Sequence, residues 1–139
     1  MCAKKTLMTI EIINEIFSNA AFDTEPDNDG DVYIYGENIE IPIWISLGKE
    51  NLLKIFTFVD LKENVTFDEA VAFSNYLNAG IAVPAFHVYK SNEEKLRLWA
   101  QYYYPMYDEV SPKSIITIAR RFSGAVVAGL RLDEEGKFI

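Results

Sequence analysis

The sequence predicts an α+β fold in which an antiparallel sheet of about five strands packs with three helices, in the order αβββαββα. Two patterns lead to this expectation. Three segments carry apolar residues at helical spacing, and between these segments apolar residues fall at every second position, as in strands. The connections between successive strands have hairpin length, so we expect antiparallel pairing with the helices on the aliphatic face of the sheet.

The first helix is predicted over about Thr6 to Ala20, because apolar residues there share one side of a helical wheel. These residues are Met8, Ile12, Ile13, Ile16, Phe17 and Ala20. The polar segment Asp23 to Asp31, with Pro26 and Gly30, is predicted to be a loop.

Three strands should follow this loop. Val32 to Tyr35 is the first, and after the turn Gly36 to Asn38 the second runs over Ile39 to Leu47 with an aliphatic residue at every odd position. The turn Gly48 to Glu50 leads into the third strand, at roughly Asn51 to Asp60. The alternation in the second strand is the clearest pattern in the sequence.

Both later helices have recognisable starts. Thr66 and Glu69 form a capping box, in which each side chain can bond a free backbone N–H, so the second helix should begin there and end near Asn78 to Gly80. Ser111 is an N-cap with Pro112 at the first helical position. The apolar stripe of the third helix comprises Ile115, Ile118, Ala119, Phe122 and Val126.

A second hairpin is predicted between these helices, with strands Pro84 to Lys90 and Lys95 to Tyr104. Since alternate residues of a strand point to opposite faces, the aliphatic residues would face the helices and bulky rings would lie on the reverse. The residues expected on that reverse face are Tyr33, Tyr35, Trp44, His87, Tyr89, Arg97, Trp99 and Tyr103. Aromatic residues with arginine are typical of protein interfaces. The alternative is that the third helix crosses to cover this face or that strand twist scatters the residues.

Composition restricts the class of protein. At 139 residues the chain is expected to form one domain, 1–139, and its formal net charge of −8 disfavours nucleic acid as a partner. Cys2 is the single cysteine, which excludes an internal disulfide and fits a reducing compartment. No stretch is long and apolar enough for a signal peptide or a membrane span, so we expect a cytoplasmic protein without membrane association.

No residue pattern predicts catalysis, a cofactor or a metal. His87 is the only histidine and has no evident nucleophile or metal-ligand partner. The acidic stretch Glu25 to Asp31 resembles part of a calcium-binding loop, but alignment on Gly30 places Gly36 where the twelfth-position glutamate should be. We therefore interpret this stretch as a solvated turn, with a weak ion site as the alternative.

Several of these features together resemble the YbjN family of bacterial proteins, which are proposed sensory transduction regulators with a fold similar to type III secretion chaperones. The resemblance rests on the apolar stripe of the first helix, the loop Asp27 to Asp31 leading into Val32 to Ile34, the capped helix from Thr66 to Asn78, the hairpin after it and the closing helix at Ser111. It implies a non-enzymatic, cytoplasmic and usually dimeric α+β protein, and it carries over no catalytic residues.

The functional prediction is a homodimeric regulator or chaperone-like protein that binds a protein or peptide. Its contact surface would comprise Tyr33, Tyr35, Trp44, Tyr89, Arg97, Trp99 and Tyr103, with edge-strand hydrogen bonds to an extended segment. One alternative is a small-ligand binder or enzyme with a dispersed site at Tyr33, His87, Arg97 and Tyr103. Another is an immunity-type protein whose acidity recognises a basic partner.

Overall fold

An antiparallel sheet forms the centre of the fold. The computed structural model describes residues 8–106 and 110–139, and in this part of the chain the sheet has six strands in the spatial order β1-β2-β3-β4-β6-β5. The strands are β1 Asp23–Pro26, β2 Val32–Tyr35, β3 Ile43–Leu47, β4 Leu52–Asp60, β5 Ala85–Lys90 and β6 Leu96–Pro105. The helices are α1 Ile10–Asn19, α2 Phe67–Gly80 and α3 Pro112–Leu130.

The prediction of an α+β fold with three helices and an antiparallel sheet is confirmed, but the number of strands is wrong. The predicted loop Asp23 to Asp31 contains β1, which pairs with β2 so that Asp23 lies opposite Tyr35 and Pro26 opposite Val32. None of the four residues of β1 is fully buried. An edge strand without a buried side chain has no apolar alternation, which is why the sequence pattern did not indicate it.

The predicted strand Ile39 to Leu47 is too long, because only Ile43–Leu47 pairs in the sheet. Ile39 is nevertheless buried. The backbone of Ile41 bonds to a side chain of α3 instead of a strand: its N–H donates to Ser123 Oγ at 2.8 Å, and its carbonyl accepts from the same hydroxyl at 3.1 Å. The aliphatic alternation therefore marks burial correctly in a segment that is not a strand.

The predicted helix starts are confirmed for α2 and α3. Thr66 and Glu69 form both bonds of the capping box, and the Ser111 hydroxyl accepts a bond from the Ser114 N–H at 3.1 Å. For α1 the N-cap is Thr9, whose hydroxyl accepts from the Ile12 N–H. The predicted start of this helix at Thr6 lies outside the described residues.

All three helices contribute to one hydrophobic core on one face of the sheet. This core joins the buried residues of the helices to the aliphatic side chains of the strands. Its strand members include Val32, Ile34, Ile43, Ile45, Leu53, Ile55, Phe86, Leu98 and Ala100. The expectation that the aliphatic face points toward the helices is confirmed. The third helix packs on this same side, through Ile115, Ala119, Phe122 and Val126.

Each edge of the sheet has a feature that disfavours pairing with another strand. At one edge β1 is short, charged and ends in Pro26, all of which disfavour pairing with another strand. At the other edge Asn78 of α2 bonds the backbone of Phe86 in β5, donating to its carbonyl and accepting from its N–H, both at 2.8 Å. An added strand would have to replace these bonds.

A candidate partner-binding face

The face of the sheet opposite the helices carries a continuous group of aromatic side chains. In the strand register Tyr33 lies opposite Trp44, and Trp44 lies opposite Phe56. Phe58 lies opposite Trp99, which lies opposite His87. We call this surface the aromatic face. It consists of Tyr33, Tyr35, Trp44, Lys54, Phe56, Phe58, His87, Tyr89, Arg97, Trp99, Gln101 and Tyr103.

The rings of the aromatic face stack on one another across the strands. Trp44 lies 4.8 Å from Tyr33, 5.9 Å from Phe56 and 5.1 Å from Phe58, between ring centroids. Trp99 lies 4.9 Å from Phe56 and 5.9 Å from Phe58, with interplanar angles of 9° and 8°. Nearly parallel rings at these distances are favourable aromatic pairs. The side chains are therefore held in fixed positions by their neighbours.

Two cations lie over these rings. Lys54 Nζ is 5.0 Å from the centroid of the Phe56 ring, 5.4 Å from that of Trp99 and 5.8 Å from that of Tyr103. The guanidinium carbon of Arg97 is 4.5 Å from the centroid of Phe58. All four distances are in the cation–π range. The Arg97 side chain also donates from Nε to Asp60 Oδ1 at 2.9 Å.

The acidic loop after β1 borders one end of the aromatic face. Asp27, Asp29 and Asp31 line a concavity of about 620 Å³ together with Trp44, Lys54, Phe56, Phe58, His87, Tyr89, Arg97, Trp99 and Gln101. Burial raises the pKa of Asp31, and the nearby charges of Asp27 and Asp29 raise it further, while Lys54 acts in the opposite direction. The loop is thus a region of negative potential beside an apolar surface.

Every helix within residues 8–106 and 110–139 packs on the other side of the sheet, and the core cluster there contains no ring of the aromatic face. Trp44, Phe56, Phe58 and Trp99 are partly exposed, although they cover one another. Tyr89 and Tyr103 are 43% and 44% exposed. A partner could therefore contact these rings without a rearrangement of the described helices.

The seven residues predicted as a contact surface all lie on this face. Sequence reasoning missed Phe56 and Phe58, which connect the two tryptophans. Their strand has apolar residues at both parities, with Leu53 and Ile55 on one face and the two phenylalanines on the other. The parity of the buried aliphatic residues would have indicated them.

The dispersed small-ligand site is only partly assembled. His87 and Arg97 line the concavity, whereas Tyr33 and Tyr103 are not among its lining residues. Burial lowers the pKa of His87, and the charge of Lys54 lowers it further, so the imidazole favours its neutral form. Among the described residues no three His, Cys, Asp or Glu side chains are arranged to hold a metal ion.

The acidic loop itself is closed by backbone bonds. The Gly30 N–H donates to the Asp27 carbonyl at 3.1 Å, and the Asp27 N–H donates to the Asp31 carbonyl at 2.7 Å. Gly30 has a φ of +83°, a conformation that glycine adopts at little cost. This is the geometry of a tight turn between two strands, and its carboxylates extend from the end of the β1–β2 hairpin.

The fold and this face define an antiparallel α+β protein with helices on one side of the sheet and an open aromatic surface on the other. Solved structures share the fold. The chain superposes on the crystal structure of YbjN from E. coli, a proposed transcription regulator, with a TM-score of 0.76 over 94% of each chain at 9% sequence identity. The chain therefore has a YbjN-like fold.

A second similar structure is that of an uncharacterised protein from Methanothermobacter thermautotrophicus. Its TM-score is 0.64 at 13% identity, and the match covers 92% of this chain and 98% of that one. No protein-family model matches the sequence, and no curated protein does so either. At such identities the likeness establishes the fold alone. No helix of the described residues has the length and apolarity to cross a bilayer.

Proposed function

We propose that this chain is a non-enzymatic binding protein with a regulatory role, and that its aromatic face is the docking surface for a polypeptide partner. The observation that carries the proposal is the group of stacked rings from Tyr33 to His87 on the side of the sheet away from the helices. A contiguous exposed patch of this kind is unusual on a protein that acts alone. Aromatic residues with arginine also provide most of the binding energy in many interfaces.

Pre-ordering of the rings favours tight association. Immobilising a flexible side chain on binding costs roughly 0.5–1.5 kcal/mol. Trp44 and Trp99 each already stack on both Phe56 and Phe58. Because little rotamer freedom is left to lose, burial of the remaining apolar area contributes more directly to affinity.

The protected edges favour contact through the face over strand addition. A strand added to β5 would compete with the two bonds between Asn78 and Phe86, and β1 offers only four residues ending in proline. We therefore place the partner on the open rings and not in an extended ladder at an edge.

The regulatory part of the proposal is supported by fold analogy. YbjN, which has the same fold, is a proposed transcription regulator. The likeness to secretion chaperones that the sequence suggests would also fit a protein that holds a polypeptide on its sheet. A cytoplasmic location fits the lone cysteine.

Selection of binding peptides from a random display library would test the proposal, because both tryptophans of the chain lie on the aromatic face and report contact there. We expect selected peptides to shift tryptophan emission to the blue. Trp99→Ala should weaken their binding at least tenfold, whereas Tyr76→Ala, which removes a ring that is 61% exposed on α2, should leave it unchanged. Equal binding by wild type and Trp99→Ala would overturn the proposal.

A further inference from the structure

The ammonium group of Lys54 is held by rings and not by a carboxylate. Its Nζ lies within cation–π distance of Phe56, Trp99 and Tyr103 at once. In the described part of the chain no carboxylate forms a salt bridge with this nitrogen. The three rings therefore form a cation site that the chain fills with its own lysine.

An acidic side chain lies in the same row of the sheet as this site. Lys54 pairs with Tyr103 on one side and with Ser46 on the other. Val32 pairs with Ile45, so the preceding residue, Asp31, is level with Ser46. Asp31 is thus two strands from Lys54, about 10 Å by strand spacing. The flexible lysine chain can point along this row either to the rings or toward Asp31.

The concavity that contains Lys54 has an excess of negative charge. Asp27, Asp29 and Asp31 line it, and none of the three forms a salt bridge with another described residue. Arg97 is paired with Asp60, and the lowered pKa of His87 favours a neutral imidazole. The three aspartates therefore outnumber the one unpaired ammonium, and the surface attracts cations.

We propose that the aromatic face recognises a basic segment of its polypeptide partner, and that a lysine side chain of this segment replaces Lys54 over Phe56, Trp99 and Tyr103. This proposal rests on the proposed function and names the chemistry of the partner. The displaced ammonium of Lys54 moves toward Asp31, where it gains an ion pair.

The exchange explains how the face would select its partner. One ammonium replaces another over the rings, so the cation–π contacts are conserved, while further basic residues of the segment face Asp27 and Asp29. A neutral or acidic segment cannot replace the cation that it would have to remove. Lys54 is therefore a built-in competitor that disfavours partners of the wrong charge.

A short peptide with four lysines, acetylated at its N-terminus and amidated at its C-terminus, is the probe. The two tryptophan indole N–H signals report its binding in NMR titrations, because both tryptophans lie on the aromatic face. Trp99→Ala should weaken this binding at least about threefold. The same peptide with all four lysines acetylated, and a peptide with four glutamates, should bind more weakly than the tetralysine peptide.

Displacement of Lys54 has its own signature in the wild-type chain. Methylene protons next to the ammonium lie near ring faces, so ring currents should shift their signals upfield in the free protein. We expect these signals to move toward ordinary lysine positions as the tetralysine peptide binds, and to stay in place when the acetylated peptide is added.

Two substitutions separate occupancy of the site from charge. Lys54→Ala and Lys54→Met both remove the ammonium, but methionine keeps a chain of similar length over the rings. We expect the tetralysine peptide to bind Lys54→Ala at least about threefold more tightly than Lys54→Met, because only alanine clears the rings. Lys90→Met, which removes a charge at the end of β5 outside the aromatic face, is the control and should bind the peptide as wild type does.

The contrary outcomes are distinct from failure of the proposed function. Lys54 methylene signals that stay upfield in the tetralysine complex would overturn the proposal, and so would equal binding by Lys54→Ala and Lys54→Met. Tight binding of the tetraglutamate peptide that Lys54→Met abolishes would show that Lys54 instead pairs with an anion. Display-selected peptides that bind through Trp99 but lack basic residues would overturn the proposal and leave the proposed function intact.

Discussion

The two faces of the sheet are built from the same strands but do different things. Ile43 and Ile45 of β3 are fully buried under the helices, whereas Trp44 between them points to the aromatic face and is partly exposed. The same contrast recurs in β6, where Leu98 and Ala100 are 2% exposed and Trp99 is on the open side. Side chains one residue apart thus belong to surfaces with separate roles.

Stability and recognition are therefore located on different faces of the sheet. On the helix side, most aliphatic side chains of the strands are buried in the core. On the aromatic face, rings cover one another only in part, and about half of the Tyr89 and Tyr103 side chains still contacts solvent. We therefore expect substitutions on the first face to lower the free energy of unfolding and substitutions on the second to lower association.

Adjacent substitutions in β3 would give the largest effect. Ile45→Ala should lower the free energy of unfolding by about 2–5 kcal/mol, because it leaves a cavity in a core position with no exposure. Trp44→Ala should cost only about 1–2 kcal/mol, since the ring loses stacking but leaves no enclosed cavity. Urea unfolding followed by circular dichroism measures both without depending on tryptophan fluorescence.

Binding of the selected peptides provides the complementary measurement for this pair. At concentrations where both variants are folded, Ile45→Ala should bind these peptides as wild type does, whereas Trp44→Ala should bind them more weakly. If Trp44→Ala proved as destabilising as Ile45→Ala, the aromatic face would be part of the core, and the division between the faces would be wrong.

Loss of a polar contact should also lower stability more on the helix side of the sheet than on the aromatic face. Asn78→Ala removes two bonds of 2.8 Å and leaves the N–H and carbonyl of Phe86 without partners beside the core, at a cost of about 2–3 kcal/mol. Gln101→Ala removes one bond of 3.0 Å that Trp99 Nε1 donates. Water can replace this bond on the open side, so the free energy of unfolding should fall by about 0.5 kcal/mol or less.

Chemical denaturation compares the stability of these two variants. Asn78→Asp serves as a control that keeps the acceptor for the Phe86 N–H and removes the donor to the Phe86 carbonyl. We expect this control to be nearly as unstable as Asn78→Ala, because the Phe86 carbonyl then faces a carboxylate. Hydrogen exchange at the Phe86 amide should become faster in both. Protection equal to wild type would show that α2 does not hold the β5 edge.

Much of the fold followed from local sequence. Thr66 with Glu69, and Ser111 with Pro112, mark helix starts because capping chemistry is local. The strand β1 was not predictable from alternation, since none of its four residues is buried. The start of β3 was not predictable either, because the hydroxyl that bonds Ile41 belongs to Ser123, 82 residues away.

The sequence predicted which side chains share the aromatic face, but not which rings contact one another there. Parity alone assigned Trp44 and Trp99 to the same side of the sheet. The contact of both tryptophans with Phe56 depends on the pairing of β4 with both β3 and β6. The pairing of β4 with β6 could not be predicted from short connections, because α2 and β5 come between these strands in the chain.

The smallest expected effect is a change in the pKa of His87, whose ring lies beside Trp99 on the aromatic face. Burial lowers its pKa below the ordinary value of about 6.5, and Lys54 lowers it further. As the only histidine, it gives a single imidazole signal in an NMR titration. Lys54→Met should raise the pKa of His87 but leave it below the ordinary value, because burial is the larger cause.

The sign of the accompanying stability change follows from linkage. A histidine with a lowered pKa in the folded state binds its proton more readily when unfolded, so stability is fully present above about pH 6.5 and decreases as pH falls through the folded pKa. Lys54→Met should narrow the pH range between the folded and unfolded pKa values of His87, over which stability is lost. Lys90→Met is the control, because Lys90 lies at the end of the same strand, and it should leave the titration of His87 unchanged. A His87 pKa that does not respond to Lys54→Met would place the ammonium group of Lys54 away from the rings of the aromatic face.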